Sequence, residues 1–325
     1  METRKPSPNP AVDASTIPGL ATDVGANAAK HICVCVCTYK RAEFLRRLLG
    51  VLARQDTGGL FTYSVVVADN DHSRSAEAVV SDFAAALPIP IRYCMEPRQN
   101  IALARNKAVE NATGDFVAFI DDDEFPTQSW LLTLFKTCNQ YGVDGVVGPV
   151  KPHFEGKPPT WVLKSKLYER LNYPTGFVID GTKGRTGNVL LRRELFAGDE
   201  EPFRAQFRFG EDQDFFRRMI EKGYVFIWCD EAVAYESVPP ARCKRSFMWR
   251  RGLLRGASSL LHPTFGVHEV VKSLIAVPAY TAVLPLSLLV GQGPFMICSV
   301  KLLDHLGRLL ALLGIHPVKE AFITD

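Results

Sequence analysis

Short apolar runs alternate with amphipathic stretches through the first half of this chain, and that rhythm limits the fold more than any single residue does. Ile32–Cys37, Thr62–Ala68, Ile91–Cys94 and Phe116–Ile120 are short, apolar and bounded by polar residues, so each reads as a buried strand. Between the first two, Phe44, Leu45, Leu48, Leu49 and Leu52 share one helical face, with Arg46, Arg47 and Arg54 off it. Ser75–Ala86 and Ile101–Asn111 read as two further helices. The order β-α-β-α-β-α-β predicts an α/β fold: a parallel sheet with helices on both faces, and function in the loops after the strands.

Polar residues recur at those strand ends: Thr38 and Arg41, then Asp69, then Asn100 and Arg105, then Asp121 to Asp123. Such loops converge, so these residues are expected to line one cleft. The fourth strand runs directly into Asp121-Asp122-Asp123-Glu124. Adjacent carboxylates repel, and burying them unpaired is costly. A divalent cation with hard oxygen ligands explains the run. An acidic turn capping a helix that starts at Thr127-Gln128-Ser129 is the structural alternative. There is no GxGxxG after the first strand and no GxxxxGK[ST], which disfavours a dinucleotide fold and a P-loop.

A helix over Gln128–Tyr141 and a strand near Val146-Val147 follow. From Pro152 to Arg185 the rhythm breaks, and Trp161, Tyr168, Tyr173 and Phe177 mix with Pro and Gly. Aromatic rings there suit a sugar, and equally a loop sealing the core. Gly187–Arg193 reads as a strand. Next comes Phe209-Gly210-Glu211-Asp212-Gln213-Asp214, with Phe215, Phe216, Met219 and Ile220 as an apolar helical face. Three acids in a first turn suit the helix dipole, and they leave room for a general base. Val225–Cys229 and Ala232–Tyr235 are short strands.

The net charge of +3 is too small to argue for nucleic acid. None of the eight cysteines forms a CxxC pair; Cys33, Cys35 and Cys37 share one strand face, as small buried hydrophobes or as thiolate ligands. Residues 1–29 are rich in Pro, Ala, Ser and Thr and lack the apolar core of a signal peptide, so a disordered cytosolic terminus is expected. Arg242–Arg255 is basic, suiting a solvated face or a surface for phosphate or anionic lipid. Residues 273–300 carry no charge, enough on length to cross a bilayer. Pro278, Pro285, Gly291, Gly293 and Pro294 are expected to break that run, and its two basic flanks favour a re-entrant hairpin. Phe295–Leu313 then reads as an interfacial amphipathic helix, with a packing helix pair as the alternative.

CVCVCTYKR, VVVADN, NIALARNKAV, FVAFIDDDE and GEDQDFFRR, in that order, resemble the family 2 inverting glycosyltransferases over residues 31–256. FIDDDE with GEDQDF is most similar to bacterial exopolysaccharide glucosyltransferases of the succinoglycan type. The resemblance implies the nucleotide-sugar-binding GT-A fold and a catalytic domain over 30–256; the uncharged run and the helix after it make 257–325 a membrane-associating region. It implies that Thr38 and Arg41 lie against the nucleoside, that Asp69 accepts from the uracil edge, and that Arg105 steadies the base or diphosphate. Asp121 or Asp122 would face the ribose and Asp123 would hold Mg²⁺ or Mn²⁺. Asp212, with Glu211 beside it, matches the catalytic base, and Gly187-Asn188 matches a loop near the acceptor. Many relatives carry a metal-binding His after the last short strand; Glu236 stands there instead, a competent hard ligand.

The implied reaction moves a hexose, glucose by resemblance, from a UDP-sugar to a lipid-linked or glycan acceptor with inversion. The implied location is the cytoplasmic face of a bacterial membrane, with no nucleic-acid partner. A metal-dependent nucleotidyltransferase or phosphohydrolase and a non-catalytic membrane scaffold are the competing readings.

Overall fold

The computed structural model describes residues 29–207, 210–262 and 265–318. The expected disordered terminus therefore lies, but for residue 29, outside the described residues, as does Phe209. The chain forms two compact units. The first comprises residues to Val150, Arg170–Ala205 and Glu211–Tyr235; the second comprises Lys151–Glu169, Gln206–Gly210 and the chain from Glu236 on.

The first unit is built on a seven-stranded sheet. Its strands are β1 (Lys30–Thr38), β2 (Phe61–Asp69), β3 (Ile91–Met95), β4 (Phe116–Ile120), β5 (Gly145–Val147), β6 (Asn188–Arg192) and β7 (Phe226–Trp228), in the order β3-β2-β1-β4-β6-β5-β7. The pairs of β1 with β2 and β4, of β2 with β3, and of β5 with β7 are parallel; β6 runs antiparallel to both neighbours. The helices are α1 (Ala42–Leu52), α2 (Glu77–Ala86), α3 (Ile101–Asn111), α4 (Trp130–Tyr141) and α5 (Glu211–Glu221). The expected alternation holds through β4.

The period of two along β1 separates two cores. Ile32, Val34 and Val36 face a cluster with Leu45, Leu48, Leu49 and Leu52 of α1, Val79 and Val80 of α2, and Trp130, Leu131 and Leu134 of α4. Cys33 and Cys35 face the other cluster, with Ala102 and Ala108 of α3 and Phe215, Phe216 and Met219 of α5. All eight cysteines are free, and these two act as small core residues. Alanines on α3 let that helix approach the sheet closely, and the Asn100 side chain starts it by accepting from the N–H groups of Ala102 (2.8 Å) and Leu103 (3.4 Å). Gly142, in the left-handed region at φ 62°, ends α4.

The second unit holds the helices α6 (Arg245–Ser258), α7 (Val267–Val290) and α8 (Gln292–Leu312), with a short helix at Thr160–Ser165. Trp161 and Tyr168 belong to its core, with Met248, Met296 and Val300. Tyr173 and Phe177 stack on each other at 4.5 Å within the first unit, and Tyr173 meets Trp228 edge-on. These four rings therefore seal cores. The boundary expected after residue 256 falls inside α6, which belongs with the second unit. The reason is small residues: a Cβ on Gly252, Gly256 or Gly307 would strike the backbone of the facing helix, so α6 and α8 pack nearly backbone to backbone.

The C-terminal helices correct two expectations. Pro278 and Pro285 do not break α7, which runs unbroken for 24 residues; the chain turns at Gly291, φ 144°. Both prolines sit on the exposed side, where only one backbone donor each is lost. α8 is not the surface helix: Met296, Cys298, Val300, Gly307, Arg308 and Ala311 are buried within this unit. The exposed apolar face belongs to α7, whose Leu274, Ile275, Leu286, Leu288, Leu289 and Val290 are all more than half exposed. Its inner seam is the stripe of buried Ser273 and Ser287 with half-buried Tyr280 between them. Among the described residues α7 is the one helix long and apolar enough to cross a membrane.

Candidate active site

The parallel register puts the C-terminal ends of β1, β2 and β4 side by side, with Thr38 opposite Asp69. Asn70 fastens these ends together. Its N–H donates to the Thr38 carbonyl at 2.9 Å, and its side-chain amide donates to the Glu96 and Arg98 carbonyls at 2.9 and 2.8 Å. Its side-chain oxygen accepts from the Asn100 N–H at 2.9 Å. Sequence reasoning passed over Asn70, although Asp69-Asn70-Asp71 at a strand end is the kind of cluster that ties loops.

Thr38, Arg41 and the acid run form one group. Thr38 Oγ1 donates to Asp122 Oδ2 at 2.7 Å. Arg41 Nη1 donates to Asp122 Oδ1 at 3.1 Å and to Asp123 Oδ2 at 3.3 Å. Burial pushes the Asp122 carboxyl up to about 6, against the opposing charge of Arg41. Burial works against the Arg41 charge, but Asp122 and Asp123 hold its pKa above the ordinary value. Asp121 is the open member, its side chain 45% exposed against 5% for Asp122 and 10% for Asp123.

Arg105 joins the acid run to α5. Its Nη1 pairs with Glu211 Oε1, and its Nη2 lies 3.9 Å from Asp121 Oδ1. Burial disfavours this guanidinium's charge, yet Glu211 and Asp121 hold its pKa above the usual value. Burial also raises the Glu211 carboxyl, with Arg105 pulling the other way. Glu211 is thus ion-paired and enclosed, while Asp212 beside it is half-buried and accepts the Gln213 N–H at 2.8 Å. Asp214 is taken up by Arg217 at 2.8 Å and Arg218 at 2.9 Å, which gives it a structural task. Gly187 lies against the same acids: a Cβ there would meet Glu124 Oε1 at 3.0 Å and Asp121 Oδ2 at 3.1 Å.

Other candidates sit differently. Asp69 is fully enclosed and accepts from the N–H groups of Asp71 (3.0 Å) and Ala76 (2.9 Å) and from the Tyr93 hydroxyl (3.1 Å). Asn188 is buried and uses its whole amide on protein: it accepts from Trp130 Nε1 at 2.7 Å and donates to the Pro149 and Ala232 carbonyls at 2.9 and 2.7 Å. Glu236 belongs to the second unit, where Arg242 lies 3.6 Å from it.

Among the described residues no three His, Cys, Asp or Glu side chains are arranged to hold a metal by themselves. The donor set still fits a hard cation. Mg²⁺ and Mn²⁺ are commonly held by one or two carboxylates together with substrate phosphates and water. Asp121 is an open carboxylate, and the missing side chain of Gly187 leaves space beside it.

A mostly parallel sheet with acids at its strand ends, and an arginine tying them to a second acidic helix start, mark a glycosyltransferase architecture. The chain belongs to glycosyltransferase family 2, whose model matches residues 33–197. It is 31% identical over 304 residues to the succinoglycan biosynthesis protein ExoM of Rhizobium meliloti, covering 90% of this chain and 96% of that one. It is 23% identical over 211 residues to the glycosyltransferase AglE of Haloferax volcanii, covering 64% and 67%. The fold is GT-A: the mannosyltransferase PcManGT from Pyrobaculum calidifontis, whose structure holds GDP-Man and Mn²⁺, superposes with a TM-score of 0.53 at 18% identity over 88% of this chain and 75% of that one.

Proposed function

We propose that this glycosyltransferase moves a hexose, glucose in our reading, from a UDP-sugar to a lipid-linked saccharide at the cytoplasmic face of a bacterial membrane. The transfer inverts the anomeric centre, requires Mg²⁺ or Mn²⁺, and serves exopolysaccharide assembly. What supports the reading most is Arg105, which binds an acid of the β4 end and an acid of the α5 start at once. The similarity to a succinoglycan biosynthesis protein along nearly its whole length supports the exopolysaccharide setting.

In this reading Asp212 takes the proton from the acceptor hydroxyl as that oxygen attacks the anomeric carbon from the face opposite the diphosphate. General-base assistance of this kind is worth roughly 10²–10⁴ in rate. Glu211, fixed by Arg105, is a positioning residue that sets where Asp212 points. Asp121 and Asp123 would hold the cation, which supplies Lewis-acid stabilisation of the departing diphosphate. Thr38, Arg41 and Asp122 keep the acid run in place, and Arg41 borders the nucleoside. Inversion in one displacement needs no covalent sugar–enzyme species, unlike retaining hydrolysis by two close carboxylates.

The test is a thermal-shift screen of UDP-, GDP- and CMP-sugars with Mn²⁺, followed by transfer to a lipid-linked acceptor with and without EDTA. Stabilisation by a UDP-hexose and chelator-sensitive transfer are expected. UDP release without sugar transfer would replace the transferase reading by hydrolysis.

A further inference from the structure

At the start of α7 lies a pocket of about 350 Å³ lined by Ser259, His262, Phe265, His268, Glu269 and Arg308. All six residues belong to the second unit, and nothing in the transfer chemistry uses them. Arg308 is 8% exposed, an unusual place for a guanidinium. Its Nε donates to Ser259 Oγ at 2.7 Å and its Nη1 to Ser273 Oγ at 2.9 Å. Nη1 also lies 3.2 Å from Glu269 Oε2 and 3.4 Å from His305 Nδ1. Among the described residues Nη2 has no protein partner.

The charge around the pocket leans positive. Glu269 is its one acid, and it faces Arg308, Lys272 at 3.8 Å and His268 at 3.4 Å. Asp304, on α8, is drawn away to Arg255 at 3.1 Å. The positive end of the α7 dipole lies at the same place.

Beyond Lys272 the character changes at once. From Ser273 to Val290 α7 carries no charge, and its outer face is apolar. At about 1.5 Å per residue that stretch is ~27 Å long, close to the thickness of a bilayer's hydrocarbon core. A pocket walled by a buried arginine and two histidines at one end of an apolar helix face matches an amphiphile with a phosphate head and a long hydrocarbon tail. We propose that the pocket of Arg308, His262 and His268 binds the phosphate of a membrane lipid, whose chain lies along the outer face of α7. The site differs from a general basic surface in being built on a guanidinium that is itself buried and fixed by two serine hydroxyls. The inference rests on the second unit alone and stands or falls apart from the donor sugar.

The test is flotation of the full-length protein with vesicles of phosphatidylcholine, of phosphatidylcholine with phosphatidic acid, and of phosphatidylcholine with phosphatidylglycerol at equal surface charge. Retention on phosphatidic acid is expected to exceed that on either other vesicle by about tenfold, since each well-placed cation near an anionic surface contributes several-fold. Arg308→Gln is expected to abolish the preference. Because that change leaves Glu269 without its main partner, the exposed His268→Gln is the second variant, with an expected loss of several-fold and unchanged far-UV circular dichroism. Equal retention on phosphatidic acid and phosphatidylglycerol, or an unchanged preference in His268→Gln, would overturn the proposal. Release from phosphatidic acid vesicles by millimolar inorganic phosphate would assign the pocket to free phosphate and overturn the lipid as its source. A UDP-sugar thermal shift on the same samples separates these outcomes from failure of the transferase reading.

Discussion

Arg105 stands between Glu211 and Asp121, pairing with the first through Nη1 and lying 3.9 Å from the second through Nη2. Two acids 90 positions apart in the chain thus share one buried cation. Removing it leaves Glu211 enclosed and unpaired, which typically costs about 3–5 kcal/mol. Arg105→Met should destabilise the protein by that order at pH 8, read from urea unfolding.

The same variant should recover stability in acid. Burial already raises the Glu211 carboxyl, and losing Arg105 raises it further. Between the ordinary glutamate range and that raised value the folded state binds more protons than the unfolded one, so stability grows as pH falls and is lost as pH rises. The gap between Arg105→Met and wild type should therefore narrow from pH 8 to pH 5. Arg105→Met/Glu211→Gln should show little of this pH dependence.

Asp212→Asn should lower kcat by about 10²–10⁴-fold while leaving the melting temperature within a degree or two. Its side chain is half-buried and accepts the N–H of Gln213, its own neighbour in the chain. Unchanged transfer would move the base elsewhere.

Gly187→Ala should weaken Mn²⁺-dependent donor binding with the fold intact. The new methyl meets two carboxylate oxygens, Glu124 Oε1 and Asp121 Oδ2, at 3.0 and 3.1 Å. Both are side-chain ends and can yield by a few tenths of an ångström, so the shift falls on the acids rather than on the sheet. Calorimetry of UDP binding with and without Mn²⁺ reads this directly.

Asn188→Ala should act on stability rather than on the acceptor KM. It strips partners from Trp130 Nε1 and from the Pro149 and Ala232 carbonyls, all buried. A loss of about 3 kcal/mol is expected. A normal melting temperature with a raised acceptor KM would restore the acceptor role.

Much of the first unit was legible because its signals are local. The period-two alternation of Ile32–Cys37 sorted the two cores, and the 3.6 period of Leu45, Leu48, Leu49 and Leu52 gave α1 its buried face. The acid groups were visible as groups, but their division of labour was not. Whether Asp121 or Asp123 stays open depends on where Arg41 reaches, and no spacing encodes that. Asn188 was placed at the start of a strand, but its structural task was not visible, because its three partners come from α4 and from two segments distant in sequence. The C-terminal helices misled for a physical reason: proline disrupts a helix most where its missing donor is needed, and Pro278 and Pro285 fall on the outer side of α7.

Those two prolines shape how α7 meets its partner. Each deletes a rung from the outward ladder of backbone bonds, while the stripe of Ser273, Tyr280 and Ser287 stays whole. A rod weakened along one side bends away from it. α7 is therefore free to arch around α8 like a bow on its string, keeping its inner stitching closed while its oily back stretches.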